Sequence, residues 1–179
     1  MRSIPFLPLI AALAAAAPSA SAQSSYGPEI SAEDFRQHLR ALSADTPADD
    51  ALLALRAAHV ERQFARLGLQ APEAGCGPDP AARRAMLPGT GAEAPTVVYL
   101  AHWRDASEIA GVLEIAERFT TQRPRPAHAV AFLFRGEDRG AADICMPVPA
   151  MTVIEPRDLL GLDASSLVRE LNLLQRQGR

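Results

Sequence analysis

The chain has 179 residues, of which 48% are hydrophobic and 22% are charged, so it can bury the core of one globular domain. Its net charge of -3 is spread without long runs of one sign, which argues against nucleic acid or an anionic membrane surface as a partner. The sequence leaves the oligomeric state open.

The first 22 residues have the pattern of a secretory signal peptide. Arg2 supplies a basic start, an apolar stretch follows from Ile4 to Ala17, and small residues before Gln23 form the cleavage site. That stretch is short for a bilayer, and no later segment approaches the roughly 20 apolar residues of a transmembrane helix. We therefore expect a signal peptide over 1–22 and a periplasmic or secreted protein.

The mature chain is predicted to have a polar leader over 23–30 and a single domain over 31–179. In an oxidising compartment Cys76 and Cys145 either form a disulfide or remain as two partly buried thiols. A bridge over so long a loop would add roughly 3 to 5 kcal/mol. The sequence does not decide between these two states.

Two helices open the domain. Ser31 is predicted to cap the first, and Thr46 with Pro47 is predicted to start the second, which Gly68 ends in a left-handed conformation. Their apolar faces, at helical spacing, are Phe35, Leu39 and Leu42 in the first, and Leu53, Val60, Phe64 and Leu67 in the second.

Each of these helices carries one histidine. His38 and His59 have no carboxylate or cysteine at a ligand spacing, which favours surface or partly buried polar roles over metal binding.

The stretch from Thr96 to Gly140 has the pattern strand, helix, strand. Val97 to Leu100 and His128 to Phe134 are continuous apolar runs, as expected of strands buried on both faces. The connection between them has the length of a right-handed crossover, so the strands should be parallel neighbours. The buried stripe of its helix is predicted to be Ile109, Val112, Leu113, Ala116 and Phe119.

Two further strands and a closing helix are predicted. The segment 70–95 reads as a long surface connection with a short strand near Ala85 to Leu87. Met151 to Ile154 is another apolar run, and Asp163 or Ser165 caps a last helix. The predicted fold class is α/β, with helices packed on a mostly parallel buried sheet.

Polar groups collect where these strands end, near His102, Gly136 and Pro156. Open α/β sheets bind their ligands at this carboxyl edge, so chemistry is expected there. No Gly-x-Ser-x-Gly elbow and no glycine-rich nucleotide loop occurs in the sequence, which argues against a serine hydrolase and a nucleotide-binding protein.

Several stretches match, in order, the segments of one protein family. The stretches are ISAEDFRQHLRALSAD, QFARLGL, VVYLAHWRD, GVLEIAERF, FLFRGED and, more weakly, VIEPRDLLG. They resemble the exported zinc aminopeptidases with a co-catalytic metal pair, the family that also includes glutaminyl cyclase-like proteins. The most specific parts are the strand endings, similar to the family's Ala-His-x-Asp and Gly-Glu-Glu. The resemblance covers most of Ile30 to Gly161 and implies a shortened three-layer zinc-exopeptidase sandwich.

The resemblance implies a role for five residues of this chain. His102 matches the first zinc ligand, and Glu137 matches the general base. Asp138 stands where the family has a second glutamate ligand. Asp158 matches the next aspartate ligand, with Glu155 as its substitute if the register shifts.

The chain also departs from the family pattern. Arg104 occupies the position of an aspartate, and a guanidinium beside a dication costs Coulomb energy and cannot orient an imidazole. Asp105 is then the nearest carboxylate for the bridging position. No histidine follows His128, although the family's second metal has a histidine ligand near its C-terminus. These residues therefore do not make a complete two-metal site.

At most one zinc ion is expected, held by His102, Asp105 and Asp158 or by His102 and Asp138, and the alternative is a chain that binds none. Two functions follow. One is an exported zinc aminopeptidase with reduced activity, which cleaves N-terminal bonds of peptides or small amino-acyl compounds with Glu137 as base. The other is a catalytically inactive α/β binding or structural domain, completed by another chain or not. The incomplete ligand set favours inactivity.

Overall fold

The computed structural model describes residues 29–43, 49–69, 73–74, 81–91, 96–136 and 151–178. The helices within these ranges are α1 (Ala32–Leu42), α2 (Asp49–Arg66), α3 (Ala106–Thr121) and α4 (Ala164–Gln177). The strands are β1 (Glu73–Ala74), β2 (Arg83–Leu87), β3 (Thr96–His102), β4 (Val130–Arg135) and β5 (Met151–Ile154).

The five strands form one mixed sheet in the order β1-β2-β4-β3-β5. β3 is central and pairs in parallel with both β4 and β5, whereas β2 runs antiparallel to β4 and β1 antiparallel to β2. The predicted parallel crossover from β3 to β4 and the predicted α/β class are both confirmed. Because β4, β3 and β5 run the same way, their carboxyl ends meet at one edge of the sheet.

The side chains of the strands alternate between two apolar clusters. On β3, Val97, Tyr99 and Ala101 join the main core, to which all four helices contribute. Val98 and Leu100 face the other way and form a second buried cluster with residues of β4. The described helices thus lie on one face of the sheet, and the part of the chain that the structure describes has two layers. A second helical layer, which the family resemblance implies, is not among the described residues.

Helix α3 lies at the centre of the domain and is buried on every side from Ser107 to Glu117. Its predicted apolar stripe is confirmed, but its polar face is buried as well. Gly111 permits the closest of these contacts, because a Cβ there would lie 2.7 Å from Leu159 Cδ1 and 3.2 Å from Pro156 Cβ. Glycine therefore lets the segment after β5 pack directly on the helix.

The predicted helix ends agree with the structure wherever it describes them. Ser31 accepts a hydrogen bond from the backbone N of Asp34 at 3.0 Å, Asp163 caps α4, and Gly68 has a φ of 68°. The predicted start of α2 at Thr46 and Pro47 lies outside the described residues.

The signal peptide and the two cysteines, Cys76 and Cys145, also lie outside the described residues. The signal peptide therefore stays a prediction, and both predicted states of the cysteines stay open. Among the helices that are described, none combines the length and apolar character needed to cross a bilayer.

Both histidines of the first two helices are buried. His38 is 0% exposed and His59 is 4% exposed, and the carboxylates of Glu114 and Glu117 lie close to His38. The expectation of a surface or partly buried position is therefore wrong. The carboxylates near His38 belong to α3, which is far away in sequence, so the spacing of residues within α1 and α2 could not indicate them.

A buried tyrosine fastens α4 to the sheet. The hydroxyl of Tyr99 donates to the backbone O of Leu174 at 2.9 Å, and the ring packs on Phe119 and Phe132. We expect Tyr99→Phe to lower the free energy of unfolding by about 1 kcal/mol, because it leaves one helix carbonyl unsatisfied while the ring contacts remain. Urea unfolding followed by circular dichroism measures this, and an unchanged midpoint would contradict it.

Candidate functional site

The carboxyl edge of the sheet is built around His102, the last residue of β3. His102 lies opposite Arg135 of β4 in the strand register, and the backbone N of Trp103 donates to the Arg135 O at 2.8 Å. The indole of Trp103 stacks on Phe134, and its Nε1 donates to the backbone O of Ala81. These contacts hold the end of β3 in place, and the His102 side chain is 17% exposed.

Glu108, in the first turn of α3, holds the imidazole of His102. Its Oε2 atom lies 2.8 Å from His102 Nδ1 and 2.9 Å from the backbone N of the same residue. Because an ionised carboxylate only accepts hydrogen bonds, this contact favours the tautomer protonated at Nδ1. The Nε2 lone pair is then available, and Nε2 has no polar partner among the described residues. Nothing in the sequence pattern had indicated a role for Glu108.

Asp105 is the N-cap of α3. Its Oδ1 accepts from the backbone N and hydroxyl of Ser107, at 2.8 and 2.6 Å, and from the backbone N of Glu108 at 3.0 Å. Partial burial works to raise the pKa of Asp105, but these hydrogen bonds and the nearby Arg56 outweigh it and lower that pKa. The side chain is therefore a carboxylate with one oxygen committed to the cap. Its predicted bridging role stays a prediction.

Two arginines border this turn. Arg56 of α2 is buried and donates through Nε to the backbone O of Leu42 at 3.0 Å and through a terminal nitrogen to the backbone O of Trp103. Arg104 is exposed, and both guanidinium groups line a cleft of about 530 Å³ together with Asp50, Leu52 and Leu53. This cleft is therefore lined by two cationic side chains and one carboxylate.

Asp158 and Glu155 follow β5 at the same edge of the sheet. Asp158 is exposed, has a φ of 56°, and makes no hydrogen bond or ion pair with the described residues. Glu155 forms an ion pair with Arg157. Neither carboxylate contacts His102, so strand topology brings them to the correct edge but not into a cluster with the histidine.

Glu137 and Asp138 lie outside the described residues, directly beyond the end of β4. Their predicted roles as base and ligand stay predictions. In the described ranges, no group of three or more histidine, cysteine or carboxylate side chains is arranged to hold a metal ion. The described donors alone therefore do not form a ligand set for a metal ion.

No protein-family profile and no curated protein matches the sequence. A crystal structure of a candidate Zn-dependent exopeptidase from Bacteroides vulgatus ATCC 8482 is similar, with a TM-score of 0.45 and 16% sequence identity over 66% of this chain. The matched part of this chain spans about half, 51%, of that protein. At this level the similarity assigns no activity, and the α/β class rests on the sheet and helices themselves.

Proposed function

We propose that this protein is an exported, degenerate zinc aminopeptidase, which keeps one zinc-binding histidine and turns over slowly or not at all. The observation that carries the proposal is the contact between Glu108 Oε2 and His102 Nδ1 at 2.8 Å. Histidines that bind zinc commonly donate their other ring nitrogen to a carboxylate, which fixes the tautomer and raises the basicity of the ligand nitrogen. The position of His102 at the carboxyl edge of a parallel strand supports the same proposal.

Each residue of the site would contribute separately. Glu108 orients His102 so that its Nε2 offers a lone pair, and Asp105 supplies a negative charge in the same turn. Zinc bound there would polarise the scissile carbonyl as a Lewis acid. By the family resemblance, Glu137 would take a proton from the attacking water, and Asp138 would complete the ligand set.

The same geometry gives the reason for weak activity. One carboxylate oxygen of Asp105 is taken up by the helix cap, and Arg56 and Arg104 place positive charge close to Asp105. These observations also favour the second candidate function, an inactive binding or structural domain in which the carboxylates serve only helix caps and ion pairs.

Metal content and one substitution distinguish the two functions. The purified protein should contain about one zinc ion per chain, and His102→Ala should remove it, because the described site has no other histidine. Glu137→Gln should keep the zinc yet abolish aminoacyl-anilide hydrolysis, because an amide cannot accept the proton. Elemental analysis and a chromogenic assay measure both results. A zinc-free wild-type protein would leave the inactive domain as the function, and unchanged turnover in Glu137→Gln would reject Glu137 as the base.

A further inference from the structure

A second polar cluster lies inside the domain, where α1, α2 and α3 meet. It joins one histidine from α1, one from α2, two glutamates from α3 and an arginine from the end of α2. These residues are His38, His59, Glu114, Glu117 and Arg66, and the first four are between 0% and 4% exposed. Burying so many ionisable groups is costly unless their charges are neutralised, so the cluster needs an explanation.

His38 is the centre of this cluster. Its Nδ1 lies 3.0 Å from His59 Nε2, and its Nε2 lies 3.7 Å from both Glu114 Oε1 and Glu117 Oε1. One imidazole therefore links all three helices, with α2 on one side of the ring and α3 on the other.

The two glutamates also contact the ends of the neighbouring helices. Glu114 Oε2 accepts from the backbone N of Ser31, the N-cap of α1, at 3.0 Å. Glu117 is in ion-pair contact with Arg66, whose Nε donates to Gln63 Oε1 at 2.9 Å. Glu114 thus anchors the start of α1, and Glu117 anchors the end of α2.

A metal ion is a poor explanation for this arrangement. His38 directs its two nitrogens to opposite sides, and the guanidinium of Arg66 already neutralises Glu117. Among the described residues, no three histidine, cysteine or carboxylate side chains are arranged to hold a metal ion, and this includes the cluster. The charge of the cluster therefore depends on how many protons its carboxyl and imidazole groups carry.

We propose that this cluster is a proton-operated latch, which keeps α1 and α2 docked on α3 while Glu114 is protonated and both histidines are neutral. In that state, the only ionised side chains of the cluster are Glu117 and Arg66, and they form a pair. Ionisation of Glu114 would add an uncompensated buried charge, and so would protonation of either histidine.

The pKa directions agree with this state. Burial raises the pKa of Glu114 to about 8, with Asp34 adding to the effect and Ser31 and Arg66 opposing it. Burial first, and then the neighbouring His59 and Arg66, together lower the pKa of His38 to about 3. The pKa of His59 is lowered to about 4 by its burial first, and then by Arg62 and Arg66. Besides burial, the acting groups come from α1 with its N-cap and from α2.

Linkage gives the latch a pH optimum. Undocked Glu114 would ionise near its ordinary value of 4.5 and docked Glu114 near 8, so docking weakens up to tenfold per pH unit as pH rises between them. Undocked histidines would bind protons below about pH 6.5, whereas the docked histidines stay neutral, so docking also weakens as pH falls below 6.5. The opposing slopes place the strongest docking near pH 6.5.

Hydrogen–deuterium exchange on the full chain tests the latch. After correction for intrinsic exchange, protection of α1 amides should fall about fourfold in total from pH 6.5 to pH 8, because the histidines partly offset Glu114 over this range, while α4 amides lose much less. Glu114→Gln keeps an acceptor for Ser31 but cannot ionise, so its α1 protection should not fall over this range and should rise about fourfold as the undocked histidines lose their protons. The matched control is Glu33→Gln, which removes the same charge from a side chain that is 73% exposed and should keep the wild-type decline.

Three results would overturn the latch. These are level α1 protection in the wild type, a persisting decline in Glu114→Gln, and an equal decline of α1 and α4, which would mean global unfolding. The comparison of α1 with α4 uses the wild-type protein, so it decides the matter even where the Glu114 variant does not fold.

Discussion

Replacing Arg56 with methionine should lower the free energy of unfolding by about 3 kcal/mol. Arg56 is 7% exposed, and its guanidinium donates to two backbone carbonyls, those of Leu42 at the end of α1 and Trp103 after β3. Methionine fills similar space but donates nothing, so both carbonyls would lose a charged donor. It would also remove the positive charge that helps to keep the pKa of Asp105 low.

Two further variants make this result specific. Arg36→Met removes an arginine from the exposed side of α1 and should change the unfolding free energy by no more than about 0.5 kcal/mol. Arg56→Lys keeps the charge but loses the planar group that spans both carbonyls, so it should be intermediate. Urea unfolding followed by circular dichroism measures all three. A loss below about 1 kcal/mol in Arg56→Met would show that water replaces the guanidinium at little cost.

Local signals in the sequence were sufficient to predict the four helices and the strands β2 to β5, but not the two-residue strand β1. Ser31, Gly68 and Asp163 end or begin helices through contacts within three residues, or through their own φ, and such contacts can be recognised without tertiary structure. The buried strands were equally clear, because continuous apolar runs of four to seven residues fit a parallel sheet. The pairing of β3 with β4 then followed from the length of the connection.

The burial of the polar face of α3 could not be predicted from local signals. Glu108, Glu114 and Glu117 give the helix an amphipathic pattern that normally indicates a solvent-exposed side, yet all three are buried. Their partners come from distant segments, since the contact between Ser31 and Glu114 spans 83 residues of sequence. A pattern that reflects only hydrophobicity cannot distinguish a solvated carboxylate from one that is buried against a histidine.

The candidate site was predicted in part. The position of His102 at the carboxyl edge agrees with the structure, because it depends only on where β3 ends. Its contact with Glu108 joins the end of a strand to the first turn of a helix. The side-chain period changes between the two elements, so a separation of six residues does not predict whether the two side chains meet. Glu137 and Asp138 lie outside the described residues, and the roles that the resemblance gives them still depend on experiment.

Glu108→Ala should weaken zinc binding about 10- to 100-fold, because the carboxylate that orients His102 would be lost. Glu108→Gln should weaken it less, since the amide oxygen can accept from Nδ1 but carries no charge. Competition with a fluorescent zinc chelator measures the affinities. Glu33→Ala, on the exposed side of α1, is the control for removal of a glutamate and should bind zinc as the wild type does.

Glu108 also has a structural contact, and this allows a sharper test of its role. Its Oε2 accepts from the backbone N of His102, so Glu108→Ala should destabilise the fold by about 1 to 2 kcal/mol as well. A residue that serves only the fold would give this loss of stability with unchanged zinc affinity in both variants. A residue that positions the ligand would give graded affinities, with alanine weaker than glutamine and glutamine weaker than glutamate. That graded series, measured where all three proteins are fully folded, is the result that the contact between Glu108 and His102 predicts.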